Sequence, residues 1–359
     1  MKIQSIAIQT TVIPLKKPFK TALRTATEIE NILVKVTLEN GLTGLGGASP
    51  TLAITGDSKE GIVGVIKNIL APQLIGQDIR RINSLSRLIQ SSCARNSSAK
   101  AAMEIALYDA FCKLIHIPLY LYLGGKSNEL KNDMTVSVGS TTEMVEEARE
   151  IVKNGFHTLK IKAGKDWVHD FERICAIYEA VDPQIRIRID ANQGWSPKQA
   201  IEIIRRLEKE NIQIEAVEQP VKAHDIEGLK LVKNSVNTPI MADESVFSPA
   251  DALKLIYEKA VDFLNIKLMK TGGIRRAAQI ADIAEAAGIE CMIGSMMESP
   301  VSLAAAAHLA AAHPNITKMD LDAPLWLEEH EFAGIQYDRE FVKLSDLPGL
   351  GIIEKQLNK

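Results

Sequence analysis

Residues 158–162, TLKIK, and residues 185–190, IRIRID, are short runs rich in apolar and β-branched residues, with a helical stretch between them. Runs of this kind recur from about residue 134 onward: TVSVG (135–139), TLKIK (158–162), IRIRID (185–190), IEAVEQ (214–219), PIMADE (239–244), FLNIKL (263–268), ECMIGS (290–295) and ITKMDL (316–321). Seven amphipathic stretches separate them, among them TEMVEEAREIVKNG (142–155), SPKQAIEIIRRLEKE (196–210) and GGIRRAAQIADIAEAAG (272–288). Eight strands alternating with seven helices predict a (β/α)7β barrel, a modified TIM barrel that lacks its last helix.

A doubly wound parallel sheet is the alternative that the same alternation allows. That fold would carry a glycine-rich nucleotide fingerprint after its first strand. The corresponding stretch, TVSVGSTTEM (135–144), has no such fingerprint, so the barrel is the favoured fold.

The first 125 residues have a different pattern. KIQSIAIQTTVI (2–13) and NILVKVTLENGLTGLGGA (31–48), with Asn40-Gly41 as a turn, predict a three-stranded antiparallel sheet. Helical patterns follow from about 59 to 115, including SAKAAMEIALYDAFCKLIHI (98–117). Strands followed by helices predict an α+β domain over residues 1–125, ahead of a barrel domain over residues 126–324.

Composition excludes several classes of partner. The 359 residues are 46% hydrophobic and 24% charged, with a net charge of −3 and no long run of one sign. We therefore expect neither a nucleic acid nor an anionic membrane surface as a partner. No apolar stretch reaches the roughly 18 residues of a membrane span, and the N-terminus has the alternation of a strand rather than of a signal peptide. The four cysteines, Cys93, Cys112, Cys175 and Cys291, form no CxxC pair, so we expect buried free thiols and a cytoplasmic protein.

Carboxylates stand at the ends of three successive predicted strands: Asp190, Glu218 and Asp243. One strand–helix unit takes about 30 residues, so these side chains should lie at the same height on neighbouring strands, at the barrel rim where active sites form. Three converging carboxylates need a cation, and an all-oxygen set without His or Cys suits Mg²⁺. The structural alternative is that each acid pairs with a rim Arg or Lys.

Two lysines flank this group. Lys162 ends the second predicted strand and Lys267 the sixth, so the two should face each other across the mouth of the barrel. Lys160 shares a strand face with Lys162, and both this ammonium and a divalent cation would lower the pKa of a neighbouring lysine toward that of a general base. Two bases on opposite sides suit inversion of a carbon next to a carboxylate. Two unrelated surface lysines are the alternative.

Five stretches together resemble the enolase superfamily, in its muconate-lactonizing subgroup: TLKIKAG (158–164), IRIDANQGW (187–195), AVEQP (216–220), MADES (241–245) and NIKLMKTGGI (265–274). The resemblance implies a capping domain, completed by a C-terminal segment of about 325–359, on a (β/α)7β barrel. It also implies one Mg²⁺ per subunit bound by Asp190, Glu218 and Asp243. Lys162 and Lys267 would be the acid/base pair, and Lys160 would polarise the substrate carboxylate.

The subgroup contains cycloisomerases, o-succinylbenzoate synthases, N-acylamino acid racemases and dipeptide epimerases, which differ in the eighth strand and in the loops of the capping domain. DLDAP (320–324) resembles the Asp-X-Asp of the dipeptide epimerases, whose acids bind the substrate's α-ammonium. If Asp320 and Asp322 lie in one strand, they share a face and need a cation. A second metal, rim salt bridges and the substrate's ammonium are the three alternatives, and the ammonium is favoured because it offers three donors.

The capping loops carry the signal for the substrate side chain. KKPFKTALRTATE (16–28) corresponds to the family loop that closes over the site, and ASPTLAITGDS (48–58) to the second such loop. Arg24 could bind a carboxylate side chain bidentately, as in the family's L-Ala-D/L-Glu epimerases, or be a plain surface residue. We therefore expect a homo-oligomeric, Mg²⁺-dependent epimerase of small dipeptides, such as L-Ala-D/L-Glu from cell-wall peptides. A lyase of the same subgroup and an inactive binding protein are the alternatives.

Two other features are given no role in chemistry. The seven histidines form no cluster, and His308 and His313 are five residues apart, which is not a metal-binding spacing. Gly272-Gly273 is expected to form a tight loop into a helix, without a bound phosphate.

Overall fold

An antiparallel sheet covered by helices forms the first part of the chain. The computed structural model describes residues 1–328 and 330–355. Its first sheet has the order β1-β2-β3, as predicted. The strands are β1 (Ile3–Lys20), β2 (Thr25–Leu38) and β3 (Thr43–Ala48), and the helices are α1 (Lys59–Val65), α2 (Ala71–Leu74), α3 (Ile82–Ser91), α4 (Ser97–Leu114) and α5 (Leu119–Tyr122), with a π-helical turn at Ile66–Leu70 and a 3-10 turn at Ile79–Arg81.

Helix α4 is buried along most of its length because it lies between the first sheet and the barrel. Its alanine-rich sequence lets β3 approach very closely. A Cβ added at Gly46 would lie 1.9 Å from the carbonyl oxygen of Ala102, so only glycine fits there. Small residues on both elements thus set the distance between sheet and helix.

Eight parallel strands form a nearly closed barrel in chain order. They are β5 (Met134–Val136), β6 (Thr158–Lys162), β7 (Arg186–Asp190), β8 (Ile214–Glu218), β9 (Ile240–Ala242), β10 (Phe263–Ile266), β11 (Glu290–Gly294) and β12 (Ile316–Asp320); a three-residue strand, β4 (Glu129–Lys131), precedes them. The seven connections carry α6 (Thr141–Lys153), α7 (Trp167–Ala180), α8 (Pro197–Lys209), α9 (Ile226–Ser235), α10 (Pro249–Tyr257), the pair α11 (Leu268–Thr271) and α12 (Ile274–Ala286), and α13 (Pro300–Ala312). The predicted (β/α)7β barrel and its α+β cap are therefore confirmed.

Local signals define where the barrel helices begin. The Ser140 hydroxyl accepts from the Glu143 N–H, and the Glu143 carboxylate accepts from the Ser140 N–H in return. Helix α8 begins with the same reciprocal pair, Ser196 with Gln199, followed by Pro197 at the first helical position. Such capping boxes satisfy the free N–H groups of a first turn and end the preceding loop at a defined residue.

The segment after the last barrel strand contacts both the start of the barrel and the N-terminal cap. It contains α14 (Ala323–Trp326), β13 (Phe332–Ala333), β14 (Gln336–Asp338), β15 (Phe341–Lys343) and β16 (Ile353–Glu354). β15 pairs with β4, and the Glu328 N–H donates to the Pro14 carbonyl of β1 at 2.9 Å. This segment thus joins the start of the barrel to the cap. The domain limits given above stay a prediction.

The residues that were given no role in chemistry have structural ones. His308 accepts a hydrogen bond from the Tyr120 N–H through Nδ1, and its Nε2 donates to the Leu350 carbonyl. Gly272-Gly273 leads into α12, where the Glu104 carboxylate accepts from the Arg275 N–H at 3.2 Å. A protein carboxylate therefore occupies the helix start where an anion would otherwise bind.

The cysteines match the expectation of buried free thiols only in part. All four cysteines are free; Cys112 and Cys291 are buried, whereas Cys93 and Cys175 are half-buried rather than fully buried as expected. Over residues 1–328 and 330–355, no helix has both the length and the apolar character needed to cross a membrane.

Candidate active site

A cavity lies at the carboxyl ends of the barrel strands, under the hairpin that joins β1 to β2. The barrel and the cap both line it. The lining residues are Phe19, Thr21, Leu23, Arg24, Thr51, Ala53, Ile54, Thr135, Lys162, Asn192, Asp243, Glu244, Lys267, Ser295, Met296, Met297, Asp320 and Asp322. It thus holds six of the nine predicted site residues, and the other three lie within an ion-pair distance of those six or of one another.

The strand register brings the predicted carboxylates together. Lys162 of β6 pairs with Asp190 of β7, and Asp190 with Glu218 of β8. Asp243 follows the next strand, β9, and all three acids are almost fully buried. Their common height is therefore a consequence of the parallel ladder, as the regular spacing predicts.

Each of the three acids has a lysine on one oxygen. Lys162 Nζ donates to Asp190 Oδ2 at 2.6 Å, and Lys267 Nζ to Asp243 Oδ2 at 2.7 Å. Lys160 Nζ lies 2.7 Å from Glu218 Oε2. β6 and β10 are four strands apart in the ring of eight, so Lys162 and Lys267 approach the acids from opposite sides.

The second oxygen of each acid has a different partner. The Asn192 N–H donates to Asp190 Oδ1 at 2.9 Å, and Lys270 Nζ donates to Asp243 Oδ1. The side-chain amide of Asn265, on β10, donates to Glu218 Oε1 at 2.8 Å. Each carboxylate therefore has one oxygen beside a lysine of the proposed catalytic set and the other on a second protein donor.

Burial and charge act in opposite directions on these acids. Burial would raise the pKa of Asp190, but Lys162 and Lys160 outweigh burial and lower it to about 2. Burial and the Asp190 carboxylate together raise the pKa of Glu218 to about 7. The pKa of Glu218 thus stays high with the lysines present, and a further cation beside its carboxylate would stabilise the ionised form.

Nearby carboxylates hold Lys160 and Lys267 in their charged form. Burial would lower the pKa of Lys160 and of Lys267, but carboxylates outweigh it and raise both values above the ordinary one. Asp320 has the largest opposing effect on Lys160, and Asp243 on Lys267. A cation that took the lysines' place on these oxygens would reverse the effect, so the lowered lysine pKa stays a prediction for the metal-loaded site.

The residues present fit a divalent cation. Asp190, Glu218 and Asp243 offer buried carboxylate oxygens at the ends of three successive strands, and Glu218 Oε2 accepts no hydrogen bond within the described chain. Both carboxylate oxygens of the neighbouring Glu244 are also buried without a hydrogen-bond partner there. An all-oxygen donor set of this kind is what Mg²⁺ prefers.

Asp320 and Asp322 both line the cavity, but not as residues of one strand. β12 ends at Asp320, and Asp322 has helical backbone angles as the residue before α14, which begins at Ala323. Asp320 Oδ2 accepts from Lys160 Nζ at 2.6 Å, whereas Asp322 Oδ2 accepts from the Thr135 N–H at 2.9 Å. The prediction that Asp320 and Asp322 share a strand face was therefore wrong, although both acids line the same cavity.

Arg24 lies at the tip of the hairpin, in the turn between β1 and β2. Its guanidinium is partly buried, and burial lowers the pKa of Arg24. No carboxylate among the described residues pairs with it. Arg24 therefore presents an unpaired cation to the cavity, on the cap side, and is not a plain surface residue.

Two family models together cover most of the chain. The mandelate racemase / muconate lactonizing enzyme N-terminal domain matches residues 3–124, and the enolase C-terminal domain-like family matches residues 143–355. The L-Ala-D/L-Glu epimerase of Bacillus subtilis is 46% identical over 361 residues, 100% of this chain and 99% of that protein. The chain belongs to the enolase superfamily. Within it, the chain is an epimerase or racemase, and hence an isomerase.

Solved structures of the superfamily agree with this assignment. A substrate-liganded complex of the Bacillus subtilis L-Ala-D/L-Glu epimerase matches with a TM-score of 0.98 and 46% identity, over 99% of this chain and 100% of that chain. A dipeptide epimerase from Enterococcus faecalis, complexed with Mg and L-Leu-L-Tyr, matches with a TM-score of 0.95 and 43% identity, over 98% and 99% of the two chains.

Some residues at this superfamily site were not predicted from the sequence. Phe19 lies with its ring centroid 5.9 Å from Lys162 Nζ, and Glu244 and Lys270 surround Asp243. Glu244 and Lys270 stand within the quoted stretches MADES and NIKLMKTGGI, yet nothing in their spacing marks them. Their neighbours there, Asp243 and Lys267, already accounted for the charge at these strand ends.

Proposed function

We propose that the chain is a Mg²⁺-dependent dipeptide epimerase that inverts the α-carbon of the C-terminal residue, with L-Ala-D/L-Glu from murein peptides as substrate. One observation carries the proposal: lysines from opposite strands flank a buried acid cluster, in a cavity that also contains two further acids and an unpaired arginine. Each of these charges matches one group of such a dipeptide.

Lys162 and Lys267 exchange the α-proton. One lysine, in its neutral form, takes the proton from one face of the α-carbon, and the electron pair of the broken C–H bond moves toward the carboxylate. The opposite lysine, as an ammonium, then donates a proton to the other face. Their positions on strands β6 and β10, four apart in the ring, support this assignment because inversion requires opposite faces.

Asp190, Glu218 and Asp243 would hold the divalent cation, which when bound supplies positive charge beside the substrate's α-carboxylate as negative charge develops there. Lys160 contacts Asp190 and Glu218 and would polarise the same carboxylate. Mg²⁺ in the Enterococcus faecalis complex supports this choice of metal.

Asp320 and Asp322 would bind the ammonium of the N-terminal residue, and Arg24 the side-chain carboxylate of glutamate. The ammonium offers three donors, and the guanidinium matches a carboxylate bidentately. An N-acylated substrate or muconate has no ammonium for the two acids, so the racemase and cycloisomerase alternatives are disfavoured. A lyase needs only one of the two lysines.

Dipeptides with apolar residues are the second candidate substrates. Leu23, Ile54 and Met297 line the cavity beside Arg24 and would contact an apolar side chain. The Enterococcus faecalis relative was solved with L-Leu-L-Tyr, which supports keeping this class. The charge of Arg24 favours the acidic dipeptide.

The test is conversion of purified dipeptides followed by chiral chromatography. We expect L-Ala-L-Glu to give L-Ala-D-Glu with Mg²⁺ present, and no conversion after removal of divalent ions with EDTA. Readdition of Mg²⁺ should restore it. Faster conversion of L-Leu-L-Tyr than of L-Ala-L-Glu would reject the acidic substrate, and no conversion of either would reject the epimerase proposal.

A cytoplasmic location and a homo-oligomeric state are also part of the proposal. Cell fractionation tests the location, and light scattering tests the oligomeric state.

A further inference from the structure

Asn265 on β10 reaches across the barrel interior to the acid cluster. Its Nδ2 donates to Glu218 Oε1 at 2.8 Å, and the residue is completely buried. Glu218 belongs to β8, and β9 lies between the two strands. The hydrogen bond therefore crosses the inside of the barrel.

The chemistry of the two groups sets the direction of the bond. An ionised carboxylate only accepts, so the amide nitrogen of Asn265 and not its oxygen must face Glu218. With Oε1 held in this way, Oε2 points to the centre of the site, 2.7 Å from Lys160 Nζ. That ion pair lacks the angles of a hydrogen bond, which leaves Oε2 available to a cation.

Gly294 on β11 makes room for this amide. A Cβ added at Gly294 would lie 2.7 Å from Asn265 Oδ1 and 3.1 Å from Nδ2. A contact of 2.7 Å is essentially never seen at real Cβ atoms, so alanine at 294 would displace the amide. An added Cβ would also lie 3.1 Å from Lys267 Cε, but its shortest contact is with the Asn265 amide.

We propose that Asn265 is a positioning residue for the metal site, holding Glu218 so that one oxygen faces the cation, and that Gly294 provides the space it needs. The inference rests on the proposed function for the identity of Glu218 as a ligand. Without the amide donor, the Glu218 carboxylate is free to rotate toward Lys160 or to take up a proton. Loss of such a ligand-orienting bond typically weakens metal binding by about 10–100-fold.

The experiment measures Mn²⁺ binding to the substrate-free protein, with free Mn²⁺ quantified by electron paramagnetic resonance. Asn265→Leu should raise the Mn²⁺ dissociation constant by about 10–100-fold. Gly294→Ala should raise it in the same direction by a smaller factor. Ile266→Val is the matched control, a neighbouring buried residue of the same strand outside the acid cluster, and should bind Mn²⁺ as the unaltered protein does.

A second readout separates positioning from general damage. If Asn265 acts through the metal, saturating Mn²⁺ should recover most of the turnover rate of Asn265→Leu. Unchanged Mn²⁺ affinity in both Asn265→Leu and Gly294→Ala would overturn the inference while leaving the epimerase proposal intact. If Asn265→Leu does not fold by circular dichroism, Asn265→Ala, which also removes the amide donor, takes its place beside Gly294→Ala. No Mn²⁺ binding by the unaltered protein would overturn the metal site and this inference together.

Discussion

At the scale of single residues, the Asp322 carboxylate accepts hydrogen bonds only from neutral donors among the described residues and is therefore the acid best suited to bind a cation. Its carboxylate accepts from the Thr135 N–H and from Trp326 Nε1, which fix its orientation without neutralising it. Burial and the Asp320 carboxylate raise the pKa of Asp322 above its ordinary value. Asp320, by contrast, already has Lys160 as a partner. A substrate ammonium would therefore stabilise the ionised form of Asp322 in particular.

Asp322→Asn tests this assignment, since an amide keeps the shape and one acceptor oxygen but removes the charge. A hydrogen bond to a charged group contributes about 1.5–3 kcal/mol, so KM for L-Ala-L-Glu should rise by roughly 10–100-fold. Binding of a desamino analogue, measured by calorimetry, is the control and should not weaken. An unchanged KM for the free dipeptide would contradict the ammonium role.

Arg24→Met tests the side-chain preference. Methionine keeps much of the apolar stem of arginine but cannot pair with a carboxylate. kcat/KM on L-Ala-L-Glu should fall by roughly 10–100-fold, for loss of one or more charge-assisted bonds, whereas activity on an apolar dipeptide such as L-Ala-L-Leu should change little. Equal losses of kcat/KM on the two substrates would show that Arg24 does not bind the acidic side chain.

At the scale of elements, the alternation of helical repeats with short β-branched runs predicted the eight strands and the seven connections, because the main helix of each connection is long enough to show its period. It did not predict the one-turn helices α11 and α14 or the two- and three-residue strands near the C-terminus, since so few residues show no period. The end of β12 was misjudged for this reason. Tertiary contacts, and not local pattern, decide where Asp322 leaves the strand.

The close packing of β3 on α4 gives a prediction for Gly46. An added Cβ would lie 1.9 Å from the Ala102 carbonyl oxygen, so Gly46→Ala must separate the sheet from the helix. We expect the free energy of unfolding to fall by about 1–3 kcal/mol, the usual cost of overpacking. Urea denaturation followed by circular dichroism measures it.

Gly64→Ala is the matched control for Gly46→Ala. Gly64 lies within α1, and an added Cβ there would have no atom within 4 Å. Alanine in a helix interior is favoured over glycine by roughly 0.5–1 kcal/mol, so this variant should be slightly more stable than the unaltered chain. Equal stability of the two variants would contradict the packing argument.

At the scale of the whole molecule, His308 joins three parts of the fold. It lies on α13 of the barrel, accepts from Tyr120 of α5 and donates to Leu350 near the C-terminus. Burial lowers the pKa of His308 to about 4 from its ordinary 6.5. The folded state thus prefers neutral imidazole, and the stability from this preference is present above pH 6.5 and lost as the pH falls toward 4.

His308→Gln should flatten this pH dependence, because glutamine can accept and donate as neutral histidine does but does not titrate. Between pH 7 and pH 4 the unaltered protein should lose roughly 3 kcal/mol more unfolding free energy than His308→Gln, as a pKa shift of this size requires. Urea unfolding at a series of pH values provides the comparison. Parallel pH profiles for the two proteins would contradict a neutral His308.

Much of the candidate site could also be predicted from the sequence, because the barrel fold itself determines where strand ends lie. A parallel barrel brings every strand end to one rim, so charges at strand ends, such as Asp190 and Lys267, can be grouped without a structure. Asn265 and Gly294 could not be found this way, because an uncharged residue inside a strand looks like any other core position. Their roles depend on a contact between strands that are not neighbours.

Exchange of the α-proton in heavy water is the measurement that tests the two-base account most directly. With Mg²⁺ present, the unaltered protein should incorporate deuterium at the α-carbon of glutamate from either L-Ala-L-Glu or L-Ala-D-Glu, and interconvert the two. Lys162→Ala and Lys267→Ala should each abolish inversion, and any remaining exchange should be confined to opposite enantiomers in the two variants. Inversion that persists in either variant, or no α-proton exchange on any dipeptide, would contradict the account.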